Sequence, residues 1–270
     1  MTDFSFPEKP NYNFTKRQTL ERKKLLKNKV EHIKFKDLKN TNELIEAYSK
    51  SSFQARKIGE GAKLYKKELN RGTTIIWSLA GSIFSAGLRE LVIDSVRKNL
   101  VDCLVCTGAL FEQDMLEALG YNHYVQTEEI EDKTLQNLLI DRIYDHLLDE
   151  IELQHVDETY KKIAKQMDSG NYSSREFMEY CGKWLSNVKD ANDSVILAAY
   201  EMNVPIFIPA INDCSIGIGL AMNQSEVKNG ISIDSIKDLR EIAKMKDLCG
   251  DSGIVIVGGG VPKNYSQDSV

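Results

Sequence analysis

The chain has 270 residues, 42% of them hydrophobic and 28% charged, with a net charge of −5 and a pI near 5.6. That length buries one large core and suits a single α/β domain, and the acidic balance gives no overall reason to expect nucleic acid. No apolar run reaches the roughly 18 residues of a membrane span, and the N-terminus lacks the charged-then-apolar order of a signal peptide, so the expected location is the cytosol.

The first element predicted is a basic amphipathic helix over residues 16–39, where ten Lys or Arg face three acids and Leu20, Leu25, Leu26, Val30 and Ile33 fall near helical spacing. It belongs to a basic helical arm, residues 1–45, ahead of an α/β domain over 46–270. The arm reads as a surface helix or as an arm docked on a neighbouring subunit, with nucleic-acid or membrane contact as the alternative. Short apolar, β-rich runs follow at Thr73–Leu79, Val101–Cys106, Pro205–Ile208 and Ile254–Val257. Helical stretches are predicted over Gly87–Asn99, Asp114–Leu119, Asp193–Met202 and Ser235–Met245, and an acidic helical region over 128–152 around Leu135, Leu138 and Leu139.

Alternating β and α segments with continuous apolar strands predict a Rossmann-like, mostly parallel sheet covered by helices on both faces. Each strand runs into small or polar residues: Ala80-Gly81-Ser82, Thr107-Gly108-Ala109, Asn212-Asp213-Cys214-Ser215 and Gly258-Gly259-Gly260. Such turns at the carboxyl ends of parallel strands are where these sheets bind ligands, because glycine admits a close phosphate and a helix N-terminus offers free N–H donors. Any one of them is also an ordinary strand-to-helix turn; four together point to a crevice of dinucleotide size.

Other chemistries find less support. No G-x-G-x-x-G follows a strand, no phosphate loop of the G-x-x-x-x-G-K-[ST] type occurs, and no nucleophile elbow marks a Ser-His-Asp hydrolase. His32, His123, His146 and His155 are isolated and read as surface or packing residues, with no metal expected. The five cysteines are scattered. Cys103 and Cys106 sit in one apolar strand with their side chains on opposite faces, which predicts buried free thiols.

The run Thr74–Glu90 (TIIWSLAGSIFSAGLRE) resembles the segment of deoxyhypusine synthases in which a strand ends in a small-residue turn followed by S-[SA]-G-[IL]-R-E. Residues 101–114 (VDCLVCTGALFEQD) are similar to that family's next strand and turn, 203–213 (NVPIFIPAIND) to its third, and 253–263 (GIVIVGGGVPK) to its triple-glycine strand. The match covers most of residues 60–265 in the family's order. It implies an NAD-binding domain over 46–270 and an enzyme that oxidises spermidine with NAD. The aminobutyl group then moves through an imine to a lysine of the hypusine-bearing translation factor, in a homotetramer. By motif position Gly81, Ser82, Ser85, Thr107, Gly108, Ala109, Asp213 and Gly259 would hold the cofactor, and Glu112, Gln113 and Asn264 would meet the polyamine.

The chain departs from the family at named positions. Gln113 stands where the resemblance expects a second acid, Ile218 where it expects an aspartate, and Asn264 where it expects a histidine. The family's imine-forming lysine lies in a further C-terminal segment, so the catalytic lysine has no counterpart among these 270 residues. Three readings follow: a deoxyhypusine synthase, a paralogue acting on another amine or acceptor, and a non-catalytic NAD-binding subunit.

Overall fold

A computed structural model describes residues 9–189 and 191–269. The chain forms two compact units, one ending at Lys67 and one beginning at Glu68. In the first unit, Thr15 caps α1 (Lys16–Leu25) in a reciprocal box with Gln18. The basic helix expected over 16–39 is therefore only ten residues long, and it is not amphipathic: none of its residues is buried. Leu20 and Leu25 find nothing to pack on, so helical spacing alone does not extend it, and beyond it only the turn Phe35–Asp37 is helical before residue 40. Asn40 then caps α2 (Thr41–Ser49), and α3 (Phe53–Arg71) folds back on it, with Lys63 reaching Glu46 at 3.2 Å and the Ser49 hydroxyl at 2.7 Å. The break between the two units falls after Lys67.

In the second unit, β1 (Thr74–Leu79) leads through a wide turn at Phe84–Leu88 into α4 (Arg89–Arg97), and β2 (Cys103–Cys106) into α5 (Gly108–Ala118). Next come β3 (Tyr124–Val125), α6 (Asp132–Leu138), β4 (Ile140–Ile143), β5 (His146–Asp149) and α7 (Glu150–Lys165). The chain continues through β6 (Gly170–Tyr172), α8 (Ser174–Leu185), α9 (Val195–Met202), β7 (Ile206–Phe207) and α10 (Ser215–Glu226). It closes with β8 (Ile231–Ile233), α11 (Ser235–Leu248), β9 (Ser252–Val257) and α12 (Gly260–Asp268).

The four strands expected from the apolar runs make one parallel sheet in the order β7-β2-β1-β9. Every residue of β2 is buried, which is why its sequence is apolar without alternation. Cys106 joins the large core with Leu104, Leu110 and Ile196, while Cys103 joins a smaller core on the other face with Ile76, Val105, Phe207 and Ile242. Both thiols are free and buried. Each fully buried Leu, Ile or Phe stabilises the sheet by about 1.5–3 kcal/mol.

The acidic region expected as helix over 128–152 folds differently. It is the short helix α6, then the antiparallel strands β4 and β5, then the first turn of α7; β3 completes a three-stranded sheet in the order β3-β5-β4. Leu139 (φ 54°) ends the helix and Tyr144 (φ 56°) turns the hairpin, both left-handed without being glycine.

Candidate active site

The sheet's connectivity fixes where a ligand can lie. From β1 the chain steps outward to β2 and β7, then returns to place β9 on the opposite flank of β1. The order reverses between β1 and β9, and helices leave on both sides, so a crevice opens outside the carboxyl ends of these strands. The turns after β1 and β9 touch there: the Ala80 N–H donates to the Val257 carbonyl at 3.0 Å. Gly258, at φ 81°, lies so close that a Cβ would sit 2.8 Å from the Ala80 oxygen.

A cleft of about 280 Å³ occupies this point, lined by Gly81, Ser82, Thr107, Gly108, Ala109 and Asp213, together with Cys106, Pro209, Ala210, Val261 and Pro262. Six of the eight residues that the resemblance assigns to a cofactor thus share one cleft. Gly259 caps the N-terminus of α12 beside it. Ser85 lies one turn further on, where its N–H is held by Gln113.

Two features suit an anionic ligand. Helices α5 and α12 both begin at this end of the sheet, and neither has a hydrogen bond from its N-cap side chain among the described residues, which suits their first-turn N–H groups to an anion. The Thr107 hydroxyl, at the start of α5, is buried and has no partner among the described residues, an orphan that a ligand oxygen would satisfy. Gly108 is required for packing: a Cβ there would come within 2.2 Å of the Cys214 sulfur. Burial pushes the Cys214 thiol up to about 11, which keeps it protonated and a poor nucleophile. A nicotinamide dinucleotide fits these features, and the cleft's volume would hold part of it.

The residues assigned to the amine behave less uniformly. Glu112 accepts a hydrogen bond from the Ser215 N–H at 2.9 Å and so caps α10. Burial raises its pKa, and the Ser215 contacts hold it back. Asp157 of α7 approaches the same serine; burial raises its pKa as well, and its Oδ1 is buried without a partner among the described residues. Sequence reasoning did not single out Asp157, because an acid in mid-helix carries no signal until α7 packs on α10. Gln113 is buried, and its Oε1 accepts from the Ser85 N–H at 3.1 Å, so its amide oxygen holds the turn after β1. Asn264 is exposed on α12, and Ile218 is 50% exposed on α10. None of the cleft's lining residues is a lysine.

The fold defines an α/β protein with a crevice at the switch point of a parallel sheet. The deoxyhypusine synthase family model matches residues 43–270, and the chain belongs to that family. It is 40% identical over 256 residues to the deoxyhypusine synthase-like protein of Chlorobaculum parvum, covering 94% of this chain and 73% of that one. In structure it resembles a chain of Entamoeba histolytica assigned as a deoxyhypusine synthase, with a TM-score of 0.61, 22% identity and coverage of 86% and 80%. The fold also resembles AgrE in its ternary complex with ornithine and NAD+, with a TM-score of 0.51, 12% identity and coverage of 86% and 27%. Among the described residues no helix is long and apolar enough to cross a membrane.

Proposed function

We propose that this protein binds NAD in the switch-point crevice and uses it to oxidise a polyamine of the spermidine type; the carbon–nitrogen bond then breaks to release diaminopropane, and the four-carbon amine passes as an imine to a lysine of the hypusine-bearing translation factor, where the imine takes the hydride back to leave an aminobutyl group. The observation that carries the reading is the convergence of Gly81, Ser82, Thr107, Gly108, Ala109 and Asp213 on one cleft at the reversal of strand order. NAD, when bound, would take the hydride that an amine must lose to become an electrophilic imine. The chain's own residues would do the rest. The N-termini of α5 and α12 would hold the pyrophosphate, and Asp213 would accept from a cofactor hydroxyl. Glu112 and Asp157 would oppose the ammonium, and Glu112, made more basic by burial, is suited to taking the proton that the ammonium sheds first.

A second reading, a paralogue that acts on another amine, is favoured by Gln113. Its amide oxygen is engaged by the Ser85 N–H and adds no charge where the family resemblance expects a carboxylate. Incubating the chain with NAD and, in turn, spermidine, putrescine and ornithine tests both readings by the absorbance of reduced nicotinamide. Reduction with spermidine supports the first, and reduction with another amine alone supports the second. NAD binding without reduction by any amine leaves the third reading, a non-catalytic NAD-binding subunit.

A further inference from the structure

Amine oxidation leaves a proton to be removed. The ammonium sheds one proton to become an amine, the carbon beside it gives a hydride to NAD+, and an iminium cation and NADH remain. Few groups at the crevice can take that proton. Of the residues lining the cleft only Asp213 and Cys106 titrate, and burial keeps the Cys106 thiol protonated. Asn264 on α12 has no group that titrates.

Glu112 can take it, and a path leads on from Glu112. Gly219 lets α10 lie against the backbone of α7: a Cβ there would come within 2.6 Å of the Asp157 carbonyl oxygen and 2.8 Å of the Lys161 nitrogen. Ser215 sits one turn earlier on the same face of α10, so this approach carries its hydroxyl to Asp157. Glu112, which accepts the Ser215 N–H at 2.9 Å, meets the same hydroxyl from α5. Ser215 is buried, and its single hydroxyl proton can serve only one of two carboxylates at a time. The series acid, hydroxyl, carboxylate is complete only when one of the two acids holds a proton. Burial raises the pKa of both, and each is also raised by neighbouring acids: Asp157 and Asp213 at Glu112, Glu150 and Glu158 at Asp157. Lys161 offers no counterweight, since Glu158 and Glu226 engage it at 3.2 and 2.7 Å, and Arg89 is held by Asp114. Burial keeps Tyr160 and Cys214 neutral.

We infer that the Ser215 hydroxyl is a proton relay between Glu112 and Asp157, by which the proton shed in amine oxidation leaves the crevice. Glu112 takes the proton from the ammonium. Its O–H then donates to the Ser215 oxygen as Ser215 passes its own proton to Asp157, so one O–H bond forms and one breaks at the serine, which stays neutral. Asp157, partly exposed, releases the proton to water. Ser215 touches no reacting atom and acts through Glu112. The relay rests on the oxidation reading above, whereas the pairing of the two acids through Ser215 is measured without any substrate.

Carboxyl ¹³C NMR titration of the full chain reads the pairing, with the Glu112 resonance assigned by its loss in Glu112→Gln. In Asp157→Ala a neighbouring charge is gone and the hydroxyl is free to serve Glu112 alone, so the Glu112 midpoint should fall. In a Ser215→Ala background, which keeps the N–H bond to Glu112, Asp157→Ala should lower it clearly less. With NAD and whichever amine reduces it, Ser215→Ala should slow the single-turnover appearance of reduced nicotinamide at least about tenfold, with both ligands bound as tightly as by wild type. Added imidazole should restore the lost rate and leave wild type unchanged, a rescue that a merely structural defect would not show. Equal midpoint shifts in the two backgrounds, or none in either, overturn the pairing and the relay together. A Ser215→Ala chain that reduces NAD at the wild-type rate, or is slowed without responding to imidazole, overturns the relay alone. If no amine reduces NAD on the wild-type chain, the oxidation reading fails and the relay of its proton fails with it, whatever the titration shows.

Discussion

Arg89 donates from Nε to Oδ1 of Asp114 across 2.7 Å, in a pair whose side chains are 7% and 0% exposed. Asp114 also accepts the N–H groups of Val195 and Ile196 at 2.9 and 3.0 Å, capping α9. Burial pushes its carboxyl above the ordinary value, while Arg89 and the two N–H groups hold it back. The arginine of the S-A-G-L-R-E run therefore ties the turn after β1 to α5 and α9. Arg89→Ala should cost about 3–5 kcal/mol in urea unfolding by stranding a buried acid, whereas Arg89→Met with Asp114→Leu should cost far less. Equal losses in the two would show that the pair's charge is not what matters.

The Thr107 hydroxyl separates stability from binding. It has no partner among the described residues, so Thr107→Val should leave unfolding free energy within about 0.5 kcal/mol of wild type. If a bound cofactor satisfies the orphan, calorimetry should show NAD binding weakened about five- to tenfold, the equivalent of one hydrogen bond. Asp213→Ala should weaken it as well. NAD binding that neither substitution changes would remove the cofactor from this cleft.

Asp238 predicts a pH dependence. It is buried at the start of α11, accepts the Ser174 N–H at 2.7 Å, and burial raises its pKa from 3.8 to about 6. The folded chain thus keeps a proton that the unfolded chain has already released. Its contribution is fully present below pH 4 and is lost as the pH rises through about 6. Asp238→Asn should flatten the stability profile between pH 4 and 6, a change on the order of 1–2 kcal/mol once solvent access is allowed for. A wild-type profile that rises over that window would refute the assignment.

How far the sequence foretold this depends on whether partners were local. Strands β1 and β2 were legible because burial on both faces writes a nearly unbroken apolar run, and β9 by its Ile254–Val257 run although it is a half-exposed edge strand. The strand order, which makes the crevice, was not, since β9 lies beside β1 although it comes last. The hairpin β4–β5 hid because Leu138-Leu139-Ile140 suits a helix and its left-handed residues are Leu139 and Tyr144, which announce no turn. The turns that line the cleft were readable from their small residues. Glu112's capping of α10 was not, because its partner Ser215 is 103 residues away.

The last prediction concerns the amine. Gln113 accepts one backbone N–H and adds no charge, and Ile218 is apolar and half exposed where the family resemblance expects an aspartate. A polycation should therefore bind weakly beside Glu112 and Asp157 alone. Gln113→Glu keeps an acceptor for the Ser85 N–H and adds a carboxylate, and Ile218→Asp adds another at a site where water already reaches. Each new ion pair is worth about 1 kcal/mol, so the double variant should bind spermidine roughly tenfold or more tightly by calorimetry. A covalent adduct on the chain itself needs something else, a lysine amine of its own within reach of the imine carbon, and no lysine lines the cleft. Borohydride treatment with NAD and radiolabelled spermidine should then trap no adduct on either the wild-type chain or the double variant. Label on the wild-type chain would show that a lysine reaches the cleft after all, and Lys263, next to the lining residue Pro262, is the first to replace.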